Sequence, residues 1–173
     1  MNDFWPVIDV LAHLTGSWRV RRSVRDLASG AEGEFTGGTV FRPFGEGEDG
    51  DGDGGSGGGG DRARRGGAGH SGPGLLHRES GTFRWQGVTR PAQRTLRFLP
   101  GERPGTASVR FADGRFFHDL DLTDGRYVAD HPCAADLYRG EFSVYDEDRW
   151  RSVWRVGGPA KDLVLTTDYT RLS

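Results

Sequence analysis

The sequence is poor in the residues that would commit it to several common designs. One cysteine, Cys133, in 173 residues excludes an internal disulfide framework and a multi-cysteine zinc site, and it points to a reducing compartment, the cytoplasm. Neither charge is in excess: 23 basic against 25 acidic residues give a net charge of −2, so no global field favours nucleic acid or an anionic membrane as a partner. No apolar run approaches the roughly 20 residues of a membrane-spanning helix. The opening stretch MNDFWPVIDVLAHLTG has acidic but no basic side chains, the wrong charge order for a secretory signal. Residues 45–74 almost lack apolar side chains and cannot offset the entropy of ordering, so they are expected to be a disordered glycine-rich loop within a single domain, 1–173. The Asp-Gly alternation there lacks the terminal glutamate of an EF-hand and the apolar position of the calcium nonapeptide, which predicts a linker and no metal site.

Helical periodicity is confined to the start. Phe4, Ile8, Leu11 and Leu14 recur at steps of three and four with Pro6 near their start, predicting a short helix that Gly16 ends. From Trp18 the period becomes two: Trp18, Val20 and Val24 share one face, Arg19, Arg21, Ser23 and Arg25 the other. A turn at 27–33 and an extended run at 34–44 complete a hairpin. Further extended runs follow at 75–85, 94–99, 107–111, 115–122, 126–129, 135–145, 150–156 and 162–171. Asp113-Gly114 and Asp124-Gly125 predict two tight hairpins, and Gly157-Gly158-Pro159 another connection. Ten short strands with little helix predict an all-β fold, an up-and-down barrel or a sandwich.

Two features select the barrel. Leu14-Thr-Gly-Ser-Trp18 opens the first strand after a short helix, and Arg171 stands on the last strand, two residues from the end. This arrangement resembles the calycins, the lipocalin and fatty-acid-binding barrels; the resemblance implies that the Arg171 cation stacks on the Trp18 indole where the antiparallel barrel closes. Four blocks in the second half, Phe111–Leu122, His131–Tyr138, Trp150–Trp154 and Gly158–Asp162, with Leu14–Arg22 and Glu79 in the first, resemble domain-of-unknown-function family 6314. That resemblance implies architecture and positions to watch, and brings no established reaction; the glycine-rich insertion departs from it.

Alternation assigns the lining. Phe116, His118, Leu120 and Leu122 share a face, opposite Phe117, Asp119 and Asp121. Asp136 and Tyr138 fall with Phe142 and Val144, and Trp150, Trp154 and Val156 oppose Arg149, Arg151 and Arg155. Arg22 lies with Trp18 and Val20, Glu79 with Leu75, His77, Phe83 and Trp85, and Arg94 with Leu96 and Phe98. Charges inside a barrel must pair, meet water or meet a ligand. The expected function is therefore to bind a small amphipathic or anionic molecule, with Arg22, Glu79, Arg94, His118, Asp136, Tyr138, Trp150 and Trp154 lining the cavity and Arg22 or Arg94 taking the acidic group. The competing structural account is a narrow barrel plugged by satisfied ion pairs. His131, Cys133, Lys161 and Asp162 are expected at one rim.

Other chemistries have weaker signals. An isomerase- or hydrolase-type enzyme would use His118 as base, Asp136 to orient it, or Cys133 as nucleophile. Zinc from His118, His131, Cys133 and Asp136 has acceptable ligand types but no recognised spacing. Haem on His77, His118 or His131 is suggested by some calycin-like barrels, yet no attachment motif exists. A protein-interaction surface would use the outer arginines 149, 151 and 155. The ligand and the oligomeric state are not legible.

Overall fold

A computed structural model describes residues 3–44 and 74–173. The loop expected at 45–74 lies outside these except for Gly74, whose carbonyl accepts the Phe44 N–H at 3.0 Å. The described residues form one short helix, α1 (Val10–Leu14), and ten strands: β1 (Gly16–Asp26), β2 (Glu32–Pro43), β3 (Leu75–Trp85), β4 (Val88–Pro100), β5 (Thr106–Phe111), β6 (Phe116–Asp121), β7 (Arg126–Cys133), β8 (Asp136–Asp146), β9 (Arg149–Gly158) and β10 (Lys161–Arg171). The strand order is β6-β5-β4-β3-β2-β1-β10-β9-β8-β7. Every ladder is antiparallel, and the first and last strands are neighbours. This is an up-and-down, calycin-like barrel, closed except for a seam between β6 and β7.

Closure takes the form that the calycin resemblance implies. Trp18 is in register with Arg171, and the guanidinium carbon lies over the indole, 4.1 Å from a ring centroid. Arg171 also donates to the carbonyls of His13 and Thr15 at 2.7 and 3.0 Å, while the Trp18 indole N–H donates to the Leu14 carbonyl at 2.8 Å. One cation thus fastens α1, β1 and β10 together.

The helix is shorter than its periodicity predicts. Asp9 caps it by accepting the Ala12 N–H at 3.0 Å, and the residues before Asp9 are not helical because their backbone is engaged elsewhere. Trp5 N–H donates to the Val144 carbonyl, Val7 N–H to Leu122 and Val10 N–H to Pro104, at 2.8, 3.0 and 2.8 Å. This N-terminal strap covers one end of the barrel. Its buried stripe is Val7, Val10 and Leu14, whereas Ile8 is 88% exposed.

The strap also explains why Asp124-Gly125 makes a turn but no hairpin. The Leu122 carbonyl is taken by Val7 and Gly125, and the Gly125 carbonyl by Val144, so β6 and β7 are joined without pairing. Two strands overrun their expected bounds. β4 starts at Val88 after a two-residue turn in which Gln86 and Gly87 have φ of 47° and 80°; it tolerates Pro91 because β5 pairs with it only from Leu96. β7 reaches Cys133 and tolerates Pro132 because it is a terminal strand.

The barrel has two unlike halves. At the strapped end Trp18, Val20, Phe41, Val109, Leu122 and Val144 are almost wholly buried. At the other end the strands are joined by short turns, and inward side chains such as Phe83, Trp154, Leu163 and Leu165 remain partly exposed. β5 and β6, of 6 residues each, are about half as long as β3 and β4, of 11 and 13, which leaves the wall low on that side.

Candidate ligand site in the open half of the barrel

A charged cluster forms the floor of the open half. Both Arg22 terminal nitrogens donate to Glu79, Nη1 to Oε1 at 2.9 Å and Nη2 to Oε2 at 2.8 Å, and Nε donates to Thr167 Oγ1 at 2.8 Å. The guanidinium lies over the Phe35 ring at 5.2 Å. Phe35 in turn rests against the facing glycines 37 and 81; a Cβ on Gly81 would stand 2.8 Å from the ring. Burial alone would raise the Glu79 pKa, but the bonds from Arg22 and the nearby Arg94 hold it below the ordinary carboxylate value. Burial would likewise lower Arg22, and Tyr169 and Glu79 outweigh it.

Arg94 is the less engaged cation. Its Nη2 lies 3.6 Å from Glu79 Oε2, an oxygen already bonded to Arg22, and its side chain is 42% exposed. It stands on the stretch of β4 that β5 does not cover. Two guanidinium groups thus share one carboxylate, and the floor carries a net positive charge.

Beside the charges is an aromatic group centred on His118. Its ring centroid is 4.8 Å from Phe117, 5.3 Å from Phe142 and 5.3 Å from Trp154. Nδ1 is 2.7 Å from the Asp119 carbonyl, which can only accept, so Nδ1 carries the proton. Burial pushes the His118 pKa down to about 4, with His131 and Arg94 adding to the shift. The neutral ring therefore presents Nε2 as a bare acceptor, and no donor among the described residues reaches it. His77, caged by Phe41 and Phe98 at 4.7 and 5.9 Å, is pushed down to about 3 by burial and then by Arg94; its buried Nδ1 has no partner.

The face expected for β6 needs one correction. Val109 pairs with His118 and Arg110 with Phe116, so Phe117 is the extra residue of a β-bulge. Phe116 is 48% exposed, whereas Phe117 turns inward, in edge contact with Trp154 at 5.2 Å and stacked on His131 at 5.1 Å. That stack bridges the β6–β7 seam where backbone pairing is missing.

The remaining expected residues separate by height. Trp150 belongs to the packed end: it is 6% exposed, stacked on Tyr169 at 3.6 Å and edge-on to Trp18 at 6.2 Å. Trp154 lies in the open half, its indole over Gly140, where a Cβ would approach to 2.6 Å. Tyr138 and His131 face each other at 6.1 Å. At the rim Asp136 accepts from Lys161 at 3.1 Å, Asp162 from Arg155 at 2.7 Å, and Cys133 is exposed. A cleft of about 310 Å³ at the mouth is lined by Phe83, Trp85, Gln86, Val88 and Arg90.

These placements bear on the competing chemistries. The orienting acceptor of His118 is the Asp119 carbonyl, while Asp136 is held at the rim by Lys161, so the expected His118–Asp136 pair does not form. Among the described residues no group of three His, Cys, Asp or Glu side chains is placed to hold a metal ion. A haem on His118 would have to displace rings packed against that imidazole at contact spacing. The outer arginines 149, 151 and 155 are each paired at the surface, with Asp146, Asp168 and Asp162 at 2.7, 2.6 and 2.7 Å. Sequence reasoning passed over Phe35, Thr167 and Tyr169 as partners of Arg22, and it set Phe117 on the face opposite His118.

Fold and site define a calycin-like β-barrel with a charged floor under an aromatic cup. The chain belongs to a family of unknown function, DUF6314, whose model matches residues 14–171. In structure it is similar to the S-type phycobiliprotein lyase CPES from Guillardia theta, with 11% identity, a TM-score of 0.60 and coverage of 98% of this chain and 94% of that one. It is also similar to Rv2717c from M. tuberculosis, with 13% identity, a TM-score of 0.51 and coverage of 99% and 100%. At such identities the likeness concerns the fold alone. No curated protein matches the sequence, and no helix among the described residues is long and apolar enough to cross a membrane.

Proposed function

We propose that this protein is a non-enzymatic, cytoplasmic binding barrel that holds a small anionic, amphipathic molecule in its open half. The observation that carries the reading is the unbalanced floor, where Arg22 and Arg94 face a single carboxylate. Glu79 is taken up by Arg22 and leaves the part-exposed Arg94 without a full counter-charge, and a ligand anion can supply it through charge-assisted hydrogen bonds. Each nitrogen of Arg22 already donates to Glu79 or Thr167, so the less engaged Arg94 takes the anion. The half-buried rings of Phe117 and Trp154 accept the apolar body.

Native mass spectrometry of the purified full chain, followed by fluorescence titration with 8-anilinonaphthalene-1-sulfonate, tests this. A retained small mass, or saturable one-site dye binding that Arg94→Gln weakens about tenfold, is expected. Neither a retained mass nor saturable dye binding would sink the proposal.

A further inference from the structure

The charge on the floor says what one end of the ligand is; the state of His118 says what another part of it must be. We propose that the barrel selects aromatic hydroxy acids or their N–H counterparts, the anion meeting Arg94 and the ligand's own O–H or N–H donating to Nε2 of His118. This rests on the binding function proposed above and narrows its ligand class.

The acceptor is fixed by local geometry. A carbonyl has no proton to give, so the 2.7 Å contact between His118 Nδ1 and the Asp119 carbonyl sets the tautomer and leaves the Nε2 lone pair for a donor. Burial and the charge of Arg94 keep the ring from acquiring a second proton, so Nε2 stays an acceptor at neutral pH. His118 is 4% exposed as a residue, yet its Nε2 is not among the buried polar atoms that lack a partner, so this atom is open to a ligand donor that takes the place of water. His77 Nδ1 does not compete for this role, since it is sealed between Phe41 and Phe98.

The body of the ligand follows from the rings packed against His118. Phe117, Phe142 and Trp154 meet edge to face, with Phe117–Trp154 at 5.2 Å and Phe142–Trp154 at 5.8 Å, which favours a flat aromatic group. Arg94 and His118 stand two strands and four residues apart through the Leu96–Phe111 and Val109–His118 registers. That is on the order of 16 Å between backbones in a flat sheet, less once curvature and both side chains are counted. A fused bicyclic acid with a distal hydroxyl is of suitable length.

The test uses 6-hydroxy-2-naphthoate, 6-methoxy-2-naphthoate, unsubstituted 2-naphthoate and neutral 2-naphthol, titrated into the full chain with 8-anilinonaphthalene-1-sulfonate as the control. The hydroxy acid is expected to bind about tenfold tighter than either acid without a donor. His118→Phe, which keeps a ring but no acceptor, should shrink that preference to within about twofold. His118→Gln, which retains an acceptor oxygen, should keep part of it. Arg94→Gln should weaken the acids about tenfold and leave 2-naphthol nearly unchanged. Equal binding of the three acids by the wild-type protein overturns the donor requirement and needs no variant to fold. If the dye binds saturably while that equality holds, the general binding function survives without this refinement; if the dye fails as well, both fall.

Discussion

Glu79 is the residue on which the interior electrostatics turn. It is 3% exposed and lies between two guanidinium groups. Removing it leaves Arg22 enclosed without a counter-charge, and breaking such a pair from one side costs about 3–5 kcal/mol. Glu79→Ala should lose stability of that order in urea unfolding, while the double variant Arg22→Met, Glu79→Leu should recover most of it, because both desolvation costs vanish together. The two buried histidines make a separate prediction for pH. His77 and His118 titrate near 3 and 4 in the fold against 6.5 when unfolded, so between those values the unfolded chain binds more protons and acid favours it. Stability that is full above about pH 6.5 should therefore fall by several kcal/mol on the way to pH 4. Glu79, also depressed, extends the loss below the ordinary carboxylate range. Urea midpoints measured across this range check the slope, and His77→Leu combined with His118→Phe should flatten it.

At the scale of elements, glycine placement in β2 and β3 is the most exposed to test. Gly37 and Gly81 face each other across the ladder, and an alanine at 81 would put its Cβ 2.7 Å from the Gly37 Cα and 2.8 Å from the Phe35 ring. Either the strands part or Phe35 tilts off Arg22. Gly81→Ala should cost about 1–3 kcal/mol by thermal or urea unfolding, whereas Gly157→Ala, with open space around its Cβ, should stay within about 0.5 kcal/mol of wild type. These elements also show where the sequence was legible. Inner faces of β1, β3, β8 and β9 follow from period-two alternation because each strand buries one side, and Trp18 with Arg171 marks the closure. The β6 bulge was not legible: Phe116 and Phe117 are both apolar, so no polarity step reveals which one the extra residue turns inward. The N-terminal strap was hidden for a related reason, since Val7, Val10 and Leu14 keep helix-like spacing while the backbone bonds that straighten Trp5 and Val7 come from Leu122 and Val144. Asp136 misled because alternation gives a face but no height along the barrel, and Lys161 meets it at the rim.

For the molecule as a whole, the division between a packed end and an open end implies that stability and binding reside in different places. Trp18 is wholly buried, edge-on to Trp150 and under Arg171, in the half where the strap, α1 and the closing strands converge. Trp154 occupies a comparable inward position on β9, yet it is partly exposed among rings that line the cup. If the two halves divide the labour, the same tryptophan-to-alanine change should read out differently in each. Trp18→Ala should cost about 3–5 kcal/mol, the range for deleting a large packed aromatic. What remains folded should still bind 8-anilinonaphthalene-1-sulfonate. Trp154→Ala should cost distinctly less, since part of its surface already meets water, and yet weaken the dye about tenfold or more. Ligand linkage supplies the cross-check: bound ligand raises the melting temperature only in proportion to its affinity for the folded state, so the dye should stabilise the wild type and lose that effect in Trp154→Ala. Equal dye affinity in the Trp154 variant and the wild type would place the ligand outside the aromatic cup and send the search to the mouth cleft beside Phe83 and Trp85.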